Sequence, residues 1–310
     1  MTVCIGAIAE DSKAIVMVAD KAVTYDGGLP IESDTNVHKI VPIGKSGWYA
    51  LMAGDPTFAM DVVSQCEQII FSKGNPASGD EMMRYVREAY QDCREGEIVD
   101  RILRPRLLSK ELYISRSKDL LPLAPAFTAE IDGQIKKFQT GTRLLVCGFY
   151  EKTPYIFSVA DPGVYDRHER LGFHAVGIGQ ETALARLLSV EADKTDALAT
   201  ALYNVFDAKV NAEIMQGIGY GWDAEILVRG SPKSFKVPRN IVSLMDRVYT
   251  GFPRSPFDVS NPKLPDHWWD RLATFIQRVM PSSEMPPVAT FTKKKRPSKR
   301  STSRKSAGPQ

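Results

Sequence analysis

The sequence predicts an α+β protein built as a four-layer αββα sandwich, with two stacked sheets held between helix pairs. Three observations carry that expectation. The first two strand-like segments, Val3 to Ala9 and Ala14 to Ala19, are apolar on successive residues rather than on alternate ones, the pattern of strands covered on both faces. The order along the chain runs strands, two helices, strands, two helices, strand, and such an order packs as sheets with helices outside. The 310 residues, 43% hydrophobic and 25% charged, also supply enough apolar surface for a large core.

The polar run Glu10-Asp11-Ser12-Lys13 joins the first two segments as a hairpin. A second hairpin spans Val37 to Ile43 and Trp48 to Ala53 across Gly44-Lys45-Ser46-Gly47. After Gly54, Asp55-Pro56 opens a helix, because the carboxylate caps free amides and proline fits the first helical position. Its stripe is Phe58, Met60, Val62, Val63, Cys66, Ile69 and Ile70, ending before Gly74-Asn75-Pro76. Ser78-Gly79-Asp80-Glu81 reads as a capping box for a second helix with Met82, Val86, Ala89, Tyr90 and Cys93 on one side. Residues 97–125 carry no clear period. Strands are expected at Ala126 to Ile131, Leu144 to Phe149 and Tyr155 to Ala160, with Asp161-Pro162-Gly163 as a turn. Helical patterns occupy about residues 180–190 and 196–214, and a strand from Ala224 to Val228 completes the body.

That reading divides the chain into a domain over residues 2–230, a Pro-rich extension over 231–292 with a short amphipathic piece from His267 to Val279, and a basic tail over 293–310. The tail holds Lys293, Lys294, Lys295, Arg296, Lys299, Arg300, Arg304 and Lys305 and no acid. Taking those eight charges from the net +3 leaves about −5 on the rest. Lacking large apolar residues, the tail is expected to be disordered. Its charge suits either a solvated solubilising segment or one that holds nucleic acid or an acidic partner. The four cysteines, Cys4, Cys66, Cys93 and Cys147, have no C-x-x-C spacing and read as buried thiols of a reducing compartment. With neither a signal-peptide pattern nor a run of about 20 apolar residues, the expected location is the cytoplasm and no membrane partner is expected. Four histidines without an H-E-x-x-H or His/Cys pattern give no metal site, and Gly177-Ile178-Gly179 lacks the rest of a phosphate loop. No cofactor is expected.

The chemistry lies in the hairpins. With the first turn centred near residue 11, positions summing to about 22 face one another, and Thr2 falls opposite Asp20, roughly 5 Å away. With the second centred near 45.5, Lys39 sits beside Met52 and Ala53, one step from Gly54. Placing the hairpins side by side with their open ends together gathers Thr2, Asp20, Lys39 and the Gly54 amide at a sheet edge. Removal of Met1 would leave Thr2 with a free α-amine of pKa about 7.7 to 8.0, able to take the proton of its own hydroxyl. Lys39 would favour the alkoxide, Asp20 would orient Lys39, and the Gly54 N–H would donate to a tetrahedral oxyanion. The reaction class is acyl transfer: hydrolysis of an amide through an ester on Thr2.

The stretches Thr2-Val3-Cys4-Ile5-Gly6, Val16-Met17-Val18-Ala19-Asp20, Val37-His38-Lys39-Ile40 and Met52-Ala53-Gly54 resemble landmarks of proteasome β-subunits and their bacterial relatives, including the HslV-type peptidase, which are N-terminal-nucleophile hydrolases. The resemblance spans about residues 2–230 and includes Asp161-Pro162-Gly163 and the run from Ala175 to Gly179. It implies a nucleophile at Thr2, support from Asp20 and Lys39, an oxyanion amide at Gly54, substrate contact at Thr24 and a further supporting carboxylate at Asp207. It also implies a peptide or amide substrate and a ring or stacked homo-oligomer. Three departures stand against these matches. Ile178 occupies the place of a serine between two glycines, Val210 the place of another serine, and Ala22 the place of an arginine. They keep open a catalytically silent scaffold of the same fold, alongside a binding role for the tail.

Overall fold

Glu10, Asp11 and Ser12 all take positive φ, at 54°, 51° and 69°. This left-handed turn, costing roughly 1 kcal/mol or more per residue, folds β1 (Val3–Ala9) back along β2 (Ala14–Asp20). Every residue of both strands is buried. The computed structural model describes residues 2–24, 30–32, 38–115, 125–215, 218–251, 274–275 and 277–278. Met1, Val37, Trp268, Trp269 and the basic tail lie outside the described residues.

The pair lies at the centre of an antiparallel sheet that also takes β10 (Phe173–Gly177), β11 (Trp222–Val228) and β12 (Phe235–Lys236), in the order β10-β1-β2-β11-β12. Alternation along β1 and β2 decides which layer each side chain enters. Val3, Ile5, Val16 and Val18 pack on α4 (Gln180–Ser189) and α5 (Leu198–Ala212) through Ala183, Leu187, Leu202 and Phe206. Cys4, Ile8, Ile15 and Met17 point the other way and meet Leu51, Leu145, Cys147 and Ile156.

Those four belong to a second antiparallel sheet. Its strands are β5 (Ile40–Pro42), β6 (Trp48–Ala53), β7 (Arg143–Tyr150), β8 (Thr153–Ala160) and β9 (Val164–Arg167), in sequence order. Its outer face, with Ala50, Met52, Val146 and Phe157, is covered by α1 (Pro56–Lys73) and α2 (Gly79–Ile98) through Phe58, Val62, Met82 and Tyr90. The protein is thus an α+β sandwich with two antiparallel sheets face to face and helices over each outer face. The caps lie where the sequence puts them. Asp55 accepts from the N–H groups of Thr57 and Phe58, and the Ser78 hydroxyl accepts from the Glu81 N–H at 3.1 Å.

Four expectations need correction. Residues 126–131 are not a strand but part of α3 (Pro125–Lys137). Thr128 and Ile131 are buried and Ile135 packs on the same cluster as Ile131, a helical spacing that Phe127, Ala129 and Ile131 disguise as alternation. The stretch 97–125 is largely helical where described: α2 runs to Ile98 and is followed by a π turn at Val99–Leu103 and a 3₁₀ turn at Arg104–Arg106. The first hairpin pairs Cys4 with Ala19, so facing positions sum to 23. A four-residue turn over 10–13 puts its axis between residues 11 and 12, and it is Val3, not Thr2, that lies level with Asp20. Lastly, the two hairpins do not pair side by side. They belong to different sheets and meet face to face.

The strands β3 (Ala22–Thr24) and β4 (Pro30–Glu32) pair only with each other among the described residues. Beyond residue 230 the chain continues on the body. β12 adds to the first sheet, and Ile241, Leu244 and Met245 of α6 (Arg239–Gly251) enter the same core as α5.

A histidine pair bridges the sheets at one edge. His174 on β10 stacks on His168 just beyond β9, with ring centroids 3.4 Å apart and planes 4° from parallel. The Ser158 hydroxyl lies 2.9 Å from His168 Nε2. Burial first, then His168 and Arg143, push the His174 pKa down from 6.5 to about 4. Burial also lowers that of His168, against the attraction of Asp166. The unfolded chain therefore binds more protons between those values. The pair's contribution to stability is complete above about pH 6.5 and is lost as the pH drops toward about 4. Urea midpoints measured across that window should show the loss, and His174→Phe should flatten it.

Candidate active site

Thr2 leads into β1, Asp20 ends β2, and Lys39 immediately precedes β5. The first two lie on the first sheet and the third on the second, so the cluster forms where the facing sheets open at one end. All three are buried, with exposures of 6%, 1% and 7%.

The Lys39 ammonium is the hub. Its Nζ donates to Thr2 Oγ1 at 2.6 Å, to Asp20 Oδ1 at 3.0 Å and to the Ala22 carbonyl at 2.5 Å. An ammonium has three N–H groups, and three oxygens surround this one. Since Thr2 Oγ1 accepts from Lys39, its own proton is left to point elsewhere.

Asp20 is held as firmly. Oδ1 accepts from the Val3 N–H at 2.9 Å as well as from Lys39, while Oδ2 accepts from the N–H groups of Ala22 at 3.1 Å and Gly219 at 3.3 Å. The one-residue shift in register has a chemical use here, because the carboxylate is tied to the backbone just beyond Thr2. Across the second hairpin the sequence reading holds: the Met52 N–H donates to the Lys39 carbonyl at 2.9 Å.

Two glycines shape the walls. Gly177, at the end of β10, has φ +100°, and a Cβ there would lie 2.1 Å from the Thr2 carbonyl oxygen. Gly54 has φ +102°, and its Cβ would lie 2.2 Å from the Gly141 carbonyl oxygen. Neither place accepts a side chain. Ala53, just before the exposed Gly54, has its Cβ 3.4 Å from where a Gly177 Cβ would stand.

The other expected residues divide. Thr24 lies on β3 opposite Pro30, and its side chain is outside the described residues. Asp207 is fully buried on α5, where Oδ2 accepts from Arg186 Nε at 2.8 Å and Oδ1 from Asn211 at 3.1 Å. It fastens α4 to α5. Ile178, between the two glycines, is 49% exposed. Sequence reasoning missed the Ala22 carbonyl and the Gly219 N–H, which are backbone groups without a residue signature. It also missed Lys209, fully buried on α5, whose signal was a lysine between the apolar Ala208 and Val210 in a predicted helix.

Cys4, next to the cluster, donates to the Met52 carbonyl at 3.3 Å. Burial pushes its thiol far above the usual cysteine range, so it offers no thiolate to compete with Thr2. Cys66 is pushed up to about 12 and Cys93 to about 11, again by burial first. Among the described residues no group of three or more His, Cys, Asp and Glu is placed to hold a metal ion. No described helix is long and apolar enough to cross a membrane. No protein-family model matches the chain, and a search of curated proteins finds no match either.

Proposed function

We propose that the protein is an N-terminal-nucleophile hydrolase of the proteasome β-subunit type, a threonine amidohydrolase or peptidase acting through Thr2 once Met1 is removed. The observation that carries the reading is the 2.6 Å hydrogen bond from Lys39 Nζ to Thr2 Oγ1 between two buried residues. The two stacked antiparallel sheets with helices outside support it as well.

In this mechanism the α-amine of Thr2 takes the hydroxyl proton while Oγ1 attacks the substrate amide carbon. The Lys39 ammonium, 2.6 Å away, stabilises the charge developing on Oγ1. The substrate carbonyl oxygen becomes an oxyanion and accepts from the Gly54 N–H. The C–N bond then breaks, the proton passes from the α-amine to the leaving amine, and an ester remains on Thr2. Water, deprotonated by the same amine, hydrolyses that ester and restores the hydroxyl. Asp20, held by three backbone N–H groups, fixes Lys39 in place throughout.

A β-lactone tests the reading directly, since the Thr2 hydroxyl would open it to an ester that adds the whole probe mass. Intact mass is expected to show loss of Met1 and one adduct, mapped to Thr2. Thr2→Ala should show none and Thr2→Ser should keep part of it. Retained Met1, or equal labelling of the alanine variant, would end the proposal.

A second reading, a catalytically silent scaffold, is favoured by Ile178, whose exposed side chain offers no hydrogen bond where the resemblance has a serine. A wild-type protein with a free Thr2 and no labelling would select it. Assembly into a homo-oligomer belongs to the same proposal, and the mass in solution tests it.

A further inference from the structure

We propose that Lys209 is a positioning residue for this site: its buried ammonium pins residues 218–221 against β2, so that the Gly219 N–H keeps the Asp20 carboxylate aimed at Lys39. The inference rests on the reading of Thr2, Asp20 and Lys39 given above and adds a residue that touches none of the reacting atoms.

A lysine with no exposed surface must have its charge met by protein groups. Lys209 Nζ donates to Glu213 Oε1, one helical turn on, and to the Tyr220 carbonyl at 2.6 Å. The second bond leaves the helix and catches the chain between α5 and β11. That segment needs a hold. Gly219 and Gly221 punctuate it, each with wide backbone freedom.

On either side of the pinned carbonyl, two bonds reach β2. The Gly219 N–H donates to Asp20 Oδ2 at 3.3 Å, and the Lys21 N–H donates to the Gly221 carbonyl at 2.9 Å. Of the four bonds received by Asp20 the one from Gly219 is the longest, and so the most sensitive to where the segment sits. Ile218 is the apolar half of the hold. It is buried at 6% exposure and lies against Gly179, where an added Cβ would come within 2.5 Å of its Cδ1. Burial lowers the Lys209 pKa while Glu213, Asp20 and Asp246 draw it back, which fits an ammonium placed within electrostatic reach of Asp20.

The experiment compares the full chain with Lys209→Met and Glu213→Gln, reading amide hydrogen exchange and β-lactone labelling. In Lys209→Met the amides of Gly219 and Lys21 should exchange about tenfold faster or more. The maximal labelling rate should fall about tenfold to about a hundredfold, the scale of small misplacements at a reacting centre, with half-saturation unchanged within about twofold. Glu213→Gln keeps an oxygen acceptor for Lys209 but removes its countercharge, so it should cost global stability while speeding the exchange of Gly219 and Lys21 less than Lys209→Met does. Unchanged exchange in Lys209→Met, or an equal effect of Glu213→Gln, would overturn the clamp. Should the methionine variant not fold, Lys209→Gln, too short to reach the Tyr220 carbonyl, is read in the same way. The exchange measurement does not depend on catalysis. A wild-type protein that fails to label therefore removes the proposed function and leaves the clamp to be decided by exchange alone.

Discussion

Replacing Lys39 by methionine is expected to do two things at once: lower β-lactone labelling of Thr2 by at least about a hundredfold, and cost about 3 to 5 kcal/mol of folding stability. The first effect follows from removing the one charge 2.6 Å from Oγ1. The second follows from Asp20, whose carboxylate is fully enclosed beside a lysine side chain only 7% exposed. With the ammonium gone, a buried anion is left with backbone donors alone. Its desolvation is then compensated only in part. Urea unfolding checks the stability and intact mass the labelling. Adding Asp20→Asn to Lys39→Met should recover part of the lost stability, because neither charge then remains, while labelling stays absent. Labelling that survives Lys39→Met would deny Lys39 its role in the chemistry.

Gly177→Ala is expected to be nearly as damaging by a purely steric route. The residue holds φ +100°, and a Cβ would stand 2.1 Å from the Thr2 carbonyl oxygen and 2.9 Å from its carbon. The left-handed backbone costs an alanine about 1 to 2 kcal/mol, and relieving the overlap in a packed interior costs about 1 to 3 kcal/mol more. The neighbour that must yield is the backbone of the candidate nucleophile itself. Labelling should therefore fall in whatever fraction still folds. Gly47 makes the control, since it also has positive φ, +76°, but nothing lies within 4 Å of its added Cβ. Gly47→Ala should show the backbone cost alone. Equal urea midpoints for the two variants would rule out the close approach at Gly177.

Much of this geometry was legible in the residues. Successive apolar positions in Val3 to Ala9 and Ala14 to Ala19 announced strands covered on both faces, and both are fully buried. The symmetric turn Gly44 to Gly47 gave the register that sets Lys39 against Met52. The same method slipped by one position in the first hairpin. A side chain as long as Lys39 still closes the distance to Thr2, but the direct neighbour of Asp20 is the Val3 N–H. The misread stretch 126–131 shows another limit. Phe127, Ile131 and Ile135 fit a helix, yet a six-residue window holds too little of the pattern to exclude a strand. The stacking of the hairpins was out of reach for a different reason. Pattern fixes which faces are apolar, whereas which apolar face meets which is settled by the whole chain. Lys209, Gly219 and the Ala22 carbonyl belong to that same class, because they act through segments far apart in sequence.

β1 has a strand hydrogen-bonded along each side, β10 and β2, and a packed layer above and below. Opening it would mean breaking two ladders and two cores together, which makes such a strand among the stiffest parts of a protein. The hydroxyl of Thr2 is carried on the residue that leads directly into it. Its orientation is then settled once, when the chain folds, rather than at each encounter with another molecule.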